Sequence, residues 1–81
     1  MIVRVKLFAV ARQRAERDEV ELTLLEGATV ADVRRELAIQ SPSLAEMVPH
    51  VAIAVDSQYA GDAQVIGPEN EIACIPPVSG G

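Results

Sequence analysis

The C-terminal stretch constrains the fold most strongly, because two prolines directly follow an apolar segment. Residues Ile72–Ile75 are followed by Pro76, Pro77, Val78, Ser79, Gly80 and Gly81. Consecutive prolines fix φ near about −65° and lack N–H donors, so this stretch is expected to be extended and unable to pair as a strand. The glycines lack Cβ atoms and could enter a channel too narrow for other residues. We therefore predict a folded domain over residues 1–75 and an extended tail over residues 76–81, with a reach of about 18 to 20 Å.

The composition predicts one small domain with an aliphatic core. The chain has 81 residues, of which 49% are hydrophobic and only 2% aromatic, so valine, isoleucine, leucine and alanine must fill the interior. One cysteine excludes an internal disulfide, and one histidine leaves no Cys/His set for zinc. We expect no metal site, and we expect Cys74 to be a small buried hydrophobe.

The charge balance argues against a nucleic-acid partner. The chain has seven basic and twelve acidic residues, which gives a net charge of −5. Binding to a phosphate backbone requires a stripe of basic residues instead. The sequence has no apolar run long enough to span a membrane, and its N-terminus lacks the pattern of a signal peptide. We therefore expect a cytoplasmic protein with no membrane partner.

Two strands are predicted near the N-terminus from the alternation of apolar and polar residues. Residues 2–8 place Val3, Val5 and Leu7 on one face, and residues 20–24 alternate in the same way. Good helix formers between them predict a short helix or turn over residues 8–15. Because the connection is short, the two strands are expected to pair antiparallel.

The main helix is predicted to begin at Val30, because Thr29 and Asp32 have the spacing of a capping box. Apolar residues at spacings of three and four form its buried face: Val30, Val33 and Leu37. One further helical turn is expected over residues 43–48, closed by Pro49. Strands are predicted over residues 51–55 and 71–75, with brief pairing near residues 59–60 and a turn over residues 67–70.

This order predicts an α+β fold, with a mixed sheet of four to five strands crossed by one main helix. If the last strand lies parallel to the first at the centre of the sheet, the tail leaves from the middle of the fold.

The chain resembles the ubiquitin-like β-grasp proteins, and within them the small subunits of molybdopterin synthase. The resemblance rests on the ending from Pro76 to Gly81 and on four internal motifs in the family's order: Leu7-Phe8-Ala9 with Arg12, Gly27-Ala28-Thr29-Val30, Ile53-Ala54-Val55 before Asp56, and Glu71-Ile72-Ala73. The chain departs from the family at residues 15–17, where relatives usually carry a glycine, at Asp56, where asparagine is commoner, and at the turn over residues 67–70.

The resemblance implies a non-catalytic, sulfur-donating subunit of a sulfurtransferase complex. In this family an ATP-dependent adenylating, E1-like enzyme activates the terminal carboxylate, and sulfur replaces AMP to give a thiocarboxylate, here on Gly81. The large subunit of molybdopterin synthase then receives the tail, and two sulfurs delivered in turn form the molybdopterin dithiolene on a pterin precursor. ATP is consumed by the activating partner, so no cofactor is expected to be bound by this chain.

The resemblance also implies a docking surface. Residues at the sheet face and the tail base are expected to contact the partners: Phe8, Tyr59, Ile75 and, at the edge, Arg12. From the residues alone, each of the three apolar side chains could equally belong to the core, and Arg12 could equally be a solvated charge.

Three other functions fit the sequence. The chain could carry sulfur for thiamine or for tRNA thiolation, or it could be a ubiquitin-like modifier that joins Gly81 to a target lysine. The single lysine, Lys6, makes self-linked chains a poor expectation but allows single attachment. A plain interaction module with an inert tail is the third.

Overall fold

The structure is a computed structural model that describes residues 1–77, so the predicted tail residues Val78, Ser79, Gly80 and Gly81 lie outside the described part. Two α-helices and five strands follow one another: β1 (Ile2–Leu7), α1 (Ala9–Ala15), β2 (Glu19–Thr23), α2 (Val30–Gln40), β3 (Ala52–Val55), β4 (Gln58–Tyr59) and β5 (Ile72–Ile75). The predicted α+β order is confirmed.

The five strands form one mixed sheet in the order β2-β1-β5-β3-β4. Strand β1 pairs antiparallel with β2 and parallel with β5, and β3 pairs antiparallel with both β5 and β4. The last strand is therefore central and lies parallel to the first, which meets the condition under which the tail leaves from the middle of the fold. Residues 72–74 of β5 have partners on both sides, and Ile75 pairs with Ala52 of β3, which fixes the point from which the C-terminal residues leave.

The core lies between one face of the sheet and helix α2. The apolar residues that alternate along β1 and β2 are buried, as predicted. The apolar residues at spacings of three and four along α2 are buried too. These residues are Val3, Val5, Leu7, Val20, Leu22, Leu24, Val30, Val33 and Leu37. Because no aromatic side chain belongs to this cluster, its packing depends on branched aliphatic residues fitting closely together.

Helix α2 begins where the sequence predicted, with Thr29 as its N-cap. The Thr29 amide donates to Asp32 Oδ2 at 2.9 Å, and the Thr29 hydroxyl lies 3.3 Å from the same oxygen. This backbone hydrogen bond is the main reason that the pKa of Asp32 lies below its ordinary value. Gly27, two residues earlier, adopts a φ of 84°, a conformation that favours glycine, so the turn into the helix depends on it.

The segment between α2 and β3 differs from the prediction of one helical turn over residues 43–48. It contains two 3₁₀ turns, Pro42–Leu44 and Val48–His50, and Pro49 lies inside the second turn instead of closing the first. A proline in the first turn of a helix loses no hydrogen bond, because the first N–H groups have no partner within the helix. The positions of the prolines predicted that this segment is helical, but they did not predict that it contains two turns.

Besides Ala9, which begins α1 at a φ of 51°, two connections adopt backbone conformations that usually favour glycine. Glu16 ends α1 at φ 57° and ψ 36°, with its amide donating to the Arg12 carbonyl at 2.9 Å. Asp56 and Ser57 have φ values of 50° and 69° and form the two-residue link between β3 and β4. Two consecutive positive φ values are typical of a type I′ hairpin turn, in which aspartate is tolerated and glycine is preferred at the second position.

Candidate functional site

A shallow groove of about 360 Å³ lies on the outer face of the sheet, where β1, β5, β3 and β4 meet. Three predicted site residues line it: Phe8, Tyr59 and Ile75. Phe8 is 46% exposed and Tyr59 is 77% exposed, so neither ring belongs to the core. The choice that the sequence left open for these two aromatic residues is thereby decided in favour of the surface. Ile75 is half-buried.

Strand alternation and register bring these residues together. Leu7 points into the core, so Phe8, the next residue in extended backbone, points to the outer face. Ala54 of β3 lies opposite both Ala73 of β5 and Tyr59 of β4. The alanines are small, so they form a low floor between Phe8 and Tyr59, and the groove remains open.

One ion pair lies at the rim of this mainly apolar groove. Lys6 Nζ lies 3.4 Å from Glu71 Oε1, and both side chains are more than half exposed. An exposed pair of this kind contributes little to stability, on the order of 0 to 1 kcal/mol, because water competes for both charges. Its charges remain available to a partner that covers the groove.

The hairpin that carries Tyr59 is fixed to the start of β5 through Asp56. The Asp56 amide donates to the Glu71 carbonyl at 2.8 Å. The Asp56 carboxylate accepts from the Glu71 amide at 2.9 Å and from Asn70 Nδ2 at 2.7 Å. The departure from asparagine at this position therefore retains a side chain that anchors the turn, and the anchor positions Tyr59 beside the groove.

The described part of the predicted tail begins at the end of the groove. Pro76 is buried and Pro77 is exposed, directly after Ile75. The remaining predicted binding residues, Val78, Ser79 and Gly80, and the reacting residue Gly81 lie outside the described residues. The groove thus adjoins the point where the chain leaves the sheet.

Arg12 is near this groove but does not line it. It borders a smaller neighbouring groove of about 180 Å³ together with Phe8, and its Nε lies 3.9 Å from Asp18 Oδ1. Phe8 therefore separates Arg12 from Tyr59 and Ile75. The expected position of Arg12 at the edge of the surface agrees with this arrangement, while its contact with a partner stays a prediction.

The sequence reasoning missed several residues of the groove, among them Lys6, Ala54 and Ala73. The alternation of β1 could have identified Lys6, because it lies on the same face as Phe8. The two alanines could be found only from the register of β3 on β5, which the sequence does not encode in any local pattern.

Cys74 is not part of this site. It is fully buried in the middle of the sheet, where it lies opposite Leu7 on one side and Ile53 on the other. Burial raises the pKa of its thiol to about 11, with a smaller opposing effect from Arg34. The thiol is therefore protonated and inaccessible at neutral pH, and the prediction of a small buried hydrophobe is confirmed.

Within residues 1–77, no group of three or more His, Cys, Asp and Glu residues is placed to hold a metal ion. Across the same residues, no helix is both long enough and apolar enough to cross a membrane.

Comparison with known proteins identifies the family. The sequence profile of the ThiS family matches residues 5–81, which includes the predicted tail. The chain belongs to the ThiS family. A relative in Arabidopsis thaliana, the molybdopterin synthase sulfur carrier subunit, is 34% identical over 79 residues, covering 98% of this chain and 82% of the relative. This chain is thus a sulfur carrier of the ThiS/MoaD type.

Solved structures confirm the ubiquitin-like β-grasp fold of this ThiS family member. The small archaeal modifier protein SAMP1 from Haloferax volcanii is 26% identical, with a TM-score of 0.87 and full coverage of both chains. A complex of subunits 1 and 2 of the molybdopterin-converting factor from Helicobacter pylori contains a chain of the same fold, with a TM-score of 0.69, 20% identity and full coverage of both chains.

Proposed function

We propose that this chain is the sulfur carrier and small subunit of a molybdopterin synthase. The observation that carries the proposal is the position of the tail base. The central strand β5 ends at Ile75 beside an exposed apolar groove, and the sequence that follows ends in Gly80 and Gly81. The Arabidopsis relative, similar over 98% of this chain, supports the molybdopterin pathway.

The chemistry resides in the carboxyl group of Gly81. A carboxylate is a poor acyl donor, because its oxygen is a poor leaving group. An adenylating enzyme joins the carboxylate to AMP and releases pyrophosphate from ATP. Hydrosulfide, released from the sulfur donor, then forms a C–S bond as the C–O bond to AMP breaks, AMP leaves and the S–H proton is lost to solvent. The resulting thiocarboxylate is a stronger nucleophile than the carboxylate, and insertion of the tail raises its effective concentration at the pterin precursor.

The proposal divides the work between this chain and its partners. The large subunit of molybdopterin synthase and the E1-like activating enzyme supply the catalytic side chains and consume ATP. This chain supplies the reacting atom, a narrow tail and a docking surface. An exposed apolar groove suits that role. When a partner excludes water from aromatic side chains in an open groove, the burial of these side chains favours binding.

A ubiquitin-like modifier is the second candidate. It is favoured by the similarity to the small archaeal modifier protein, which matches this chain over its full length. In that function an amine of a target protein, in place of sulfur, would attack the activated Gly81 carbonyl and form an isopeptide bond. Sulfur delivery to thiamine or tRNA thiolation uses the same thiocarboxylate and differs only in the acceptor.

Intact mass spectrometry separates these functions. The purified chain is incubated with an adenylating enzyme, ATP and a sulfur donor, with a reaction lacking ATP as the control. A carrier gains the mass that corresponds to replacement of one oxygen by sulfur. The thiocarboxylated chain is then mixed with the large subunit and the pterin precursor, and molybdopterin formation is measured. A thiocarboxylate that forms but yields no molybdopterin would contradict the molybdopterin assignment, and stable adducts on lysines would favour the modifier.

A further inference from the structure

Strand β2 forms one edge of the sheet, and half of its backbone groups point away from the fold. At the start of the β1–β2 pair, the Met1 amine donates to the Leu24 carbonyl at 2.7 Å and the Leu24 amide donates back at 2.8 Å. At the other end, the Leu7 amide donates to the Asp18 carbonyl at 2.8 Å. Because hydrogen-bonded pairs alternate in an antiparallel ladder, the even-numbered residues of β2 bond to β1.

The odd-numbered residues of β2 therefore direct their N–H and C=O groups outward: Glu19, Glu21 and Thr23. Among residues 1–77, no strand pairs with this side of β2. The opposite edge of the sheet is the two-residue strand β4, which is too short to accept a partner strand in the same way. An edge with unpaired backbone groups is a template for strand addition.

A cavity lies beside this edge, on the side of the sheet that carries α2. It has a volume of about 330 Å³ and is lined by the end of β2, the following turn and the first turns of α2. Leu25, at the lip of the cavity, is 86% exposed. A strand added to β2 would direct every second side chain toward α2, and an apolar side chain there would cover Leu25.

The other side of the edge is acidic. Glu19 and Glu21 point to the outer face of the sheet, and both lie near Arg4, at 4.0 and 3.2 Å from its Nε. Lys6 of β1 lies opposite Glu19 but is paired with Glu71, so three carboxylates share two cations and a net negative charge remains. A second copy of β2 could pair antiparallel so that all three outward residues have partners. This register would place Glu21 opposite Glu21, and the two like charges would repel each other. A basic side chain at that position would be favoured.

We propose that the β2 edge binds an extended segment of another protein in which basic residues alternate with apolar ones. The backbone of the segment pairs with Glu19, Glu21 and Thr23. Its basic side chains lie beside the two glutamates, and its apolar side chains lie against Leu25 and the cavity next to α2. This surface is separate from the groove at the tail base, because strand β1 lies between β2 and β5.

The test uses the full chain and a capped pentapeptide of alternating valine and arginine. Amide chemical shifts are recorded during titration, with a valine–glutamate peptide as the matched control. We expect saturable shifts centred on Glu19, Glu21, Thr23 and Leu25, with binding at least about tenfold weaker for the glutamate peptide. Equal affinity for both peptides, shifts centred on Phe8 and Tyr59, or no saturable binding at millimolar peptide would overturn the proposal.

Two changes test the backbone pairing itself. In Glu21→Pro, the lost N–H is one that β1 does not use, and proline is tolerated on an edge strand when its N side faces solvent. We expect the variant to bind the arginine peptide about tenfold more weakly than Glu21→Gln, which lacks the charge but keeps the N–H.

The second change is made in the peptide, so it does not depend on the folding of Glu21→Pro. Methylation of the peptide nitrogens that face β2 is expected to abolish binding to the unmodified protein. Retained affinity, or sedimentation that shows dimers formed through the same edge, would refute the pairing.

Discussion

Arg34 donates a hydrogen bond of 2.8 Å from Nε to the carboxylate of Asp62, so helix α2 is joined to the loop that follows β4. Nη1 of the same guanidinium donates to the carbonyls of Val48 and Val51, each at 2.8 Å. Arg34 thereby holds the second 3₁₀ turn and the entry to β3 against the helix. Since β3 forms part of the floor of the candidate docking groove, this contact supports the site from behind.

Arg34→Ala is expected to lower the free energy of unfolding by about 2 to 4 kcal/mol, because two carbonyls of buried residues lose their donor. Arg34→Lys should restore little of this loss, since an ammonium cannot reproduce the planar arrangement of donors. Urea denaturation followed by circular dichroism measures both. The control is Arg35→Ala, one residue along the same helix, whose side chain is 65% exposed in its ion pair with Asp32, so we expect a change below about 1 kcal/mol. Equal losses in the two alanine variants would contradict this role.

Deletion of Gly81 is expected to abolish thiocarboxylate formation while leaving the free energy of unfolding unchanged. Gly81→Ala should do the same, because a Cβ at the reacting residue would not fit a partner's channel that is wide enough only for glycine. Intact mass after incubation with the activating enzyme measures the first effect, and urea denaturation measures the second. Molybdopterin formation by the truncated chain with its natural partners would show that the proposed function is wrong.

Phe8→Ala and Tyr59→Ala are expected to weaken binding of the large subunit at least about tenfold, because each removes an exposed ring from the groove. Their effect on folding should be no more than about 1 kcal/mol, since both rings are already substantially exposed. Titration calorimetry with the thiocarboxylated chain measures the affinity. Ile39→Ala is the matched control, because Ile39 is 62% exposed but lies on α2, away from the groove. If all three variants bind equally well, the groove is not the docking surface.

Glu16→Gly is expected to stabilise the protein by about 0.5 to 1 kcal/mol. The left-handed conformation of Glu16 is costly for a residue with a Cβ, and removal of that cost exceeds the additional entropy that glycine loses on folding. Arg14→Gly, two residues earlier within α1, should instead destabilise by about 1 kcal/mol. Thermal and urea unfolding measure both variants, and a destabilised Glu16→Gly protein would contradict the conformation described for this turn.

The stability of the protein is expected to fall as the pH rises from 9.0 toward 11. Burial raises the pKa of Cys74 from 9.0 to about 11, so within this window the unfolded chain releases a proton that the folded chain keeps. The stabilisation is fully present below pH 9.0 and is lost as the pH passes through the folded pKa. In Cys74→Ala this contribution is absent, so the stability difference between the two proteins should change across the window. A constant difference from pH 8 to pH 10.5 would contradict the prediction.

Local patterns in the sequence were enough to predict the strands and the main helix. Alternation located β1 and β2, and the pairing of Thr29 with Asp32 located the first residue of α2, because each signal depends only on neighbours in the chain. The order of the elements then indicated an α+β fold and left the central position of β5 as a condition that the structure meets. The turns between α2 and β3 were predicted less well, because several proline-containing turns fit the same residues.

The candidate site could be predicted only in part, for a related reason. Phe8, Tyr59 and Ile75 were expected at one surface from the family resemblance, and the structure brings them into one groove. From the residue types alone, each of these three side chains could equally be buried in the core or exposed at the surface. The floor of the groove depends on Ala54 lying opposite Ala73, a register set by the packing of the whole sheet.

The parallel pairing of β1 with β5 also has a mechanical consequence. A pulling force applied between the N-terminus and the C-terminal tail would act along both strands in opposite directions. It would load the hydrogen bonds of the β1–β5 ladder together, in shear, instead of opening them one at a time. A domain with this arrangement resists extension along that axis, so a partner that pulls on the tail would move the whole body before unravelling any part of it.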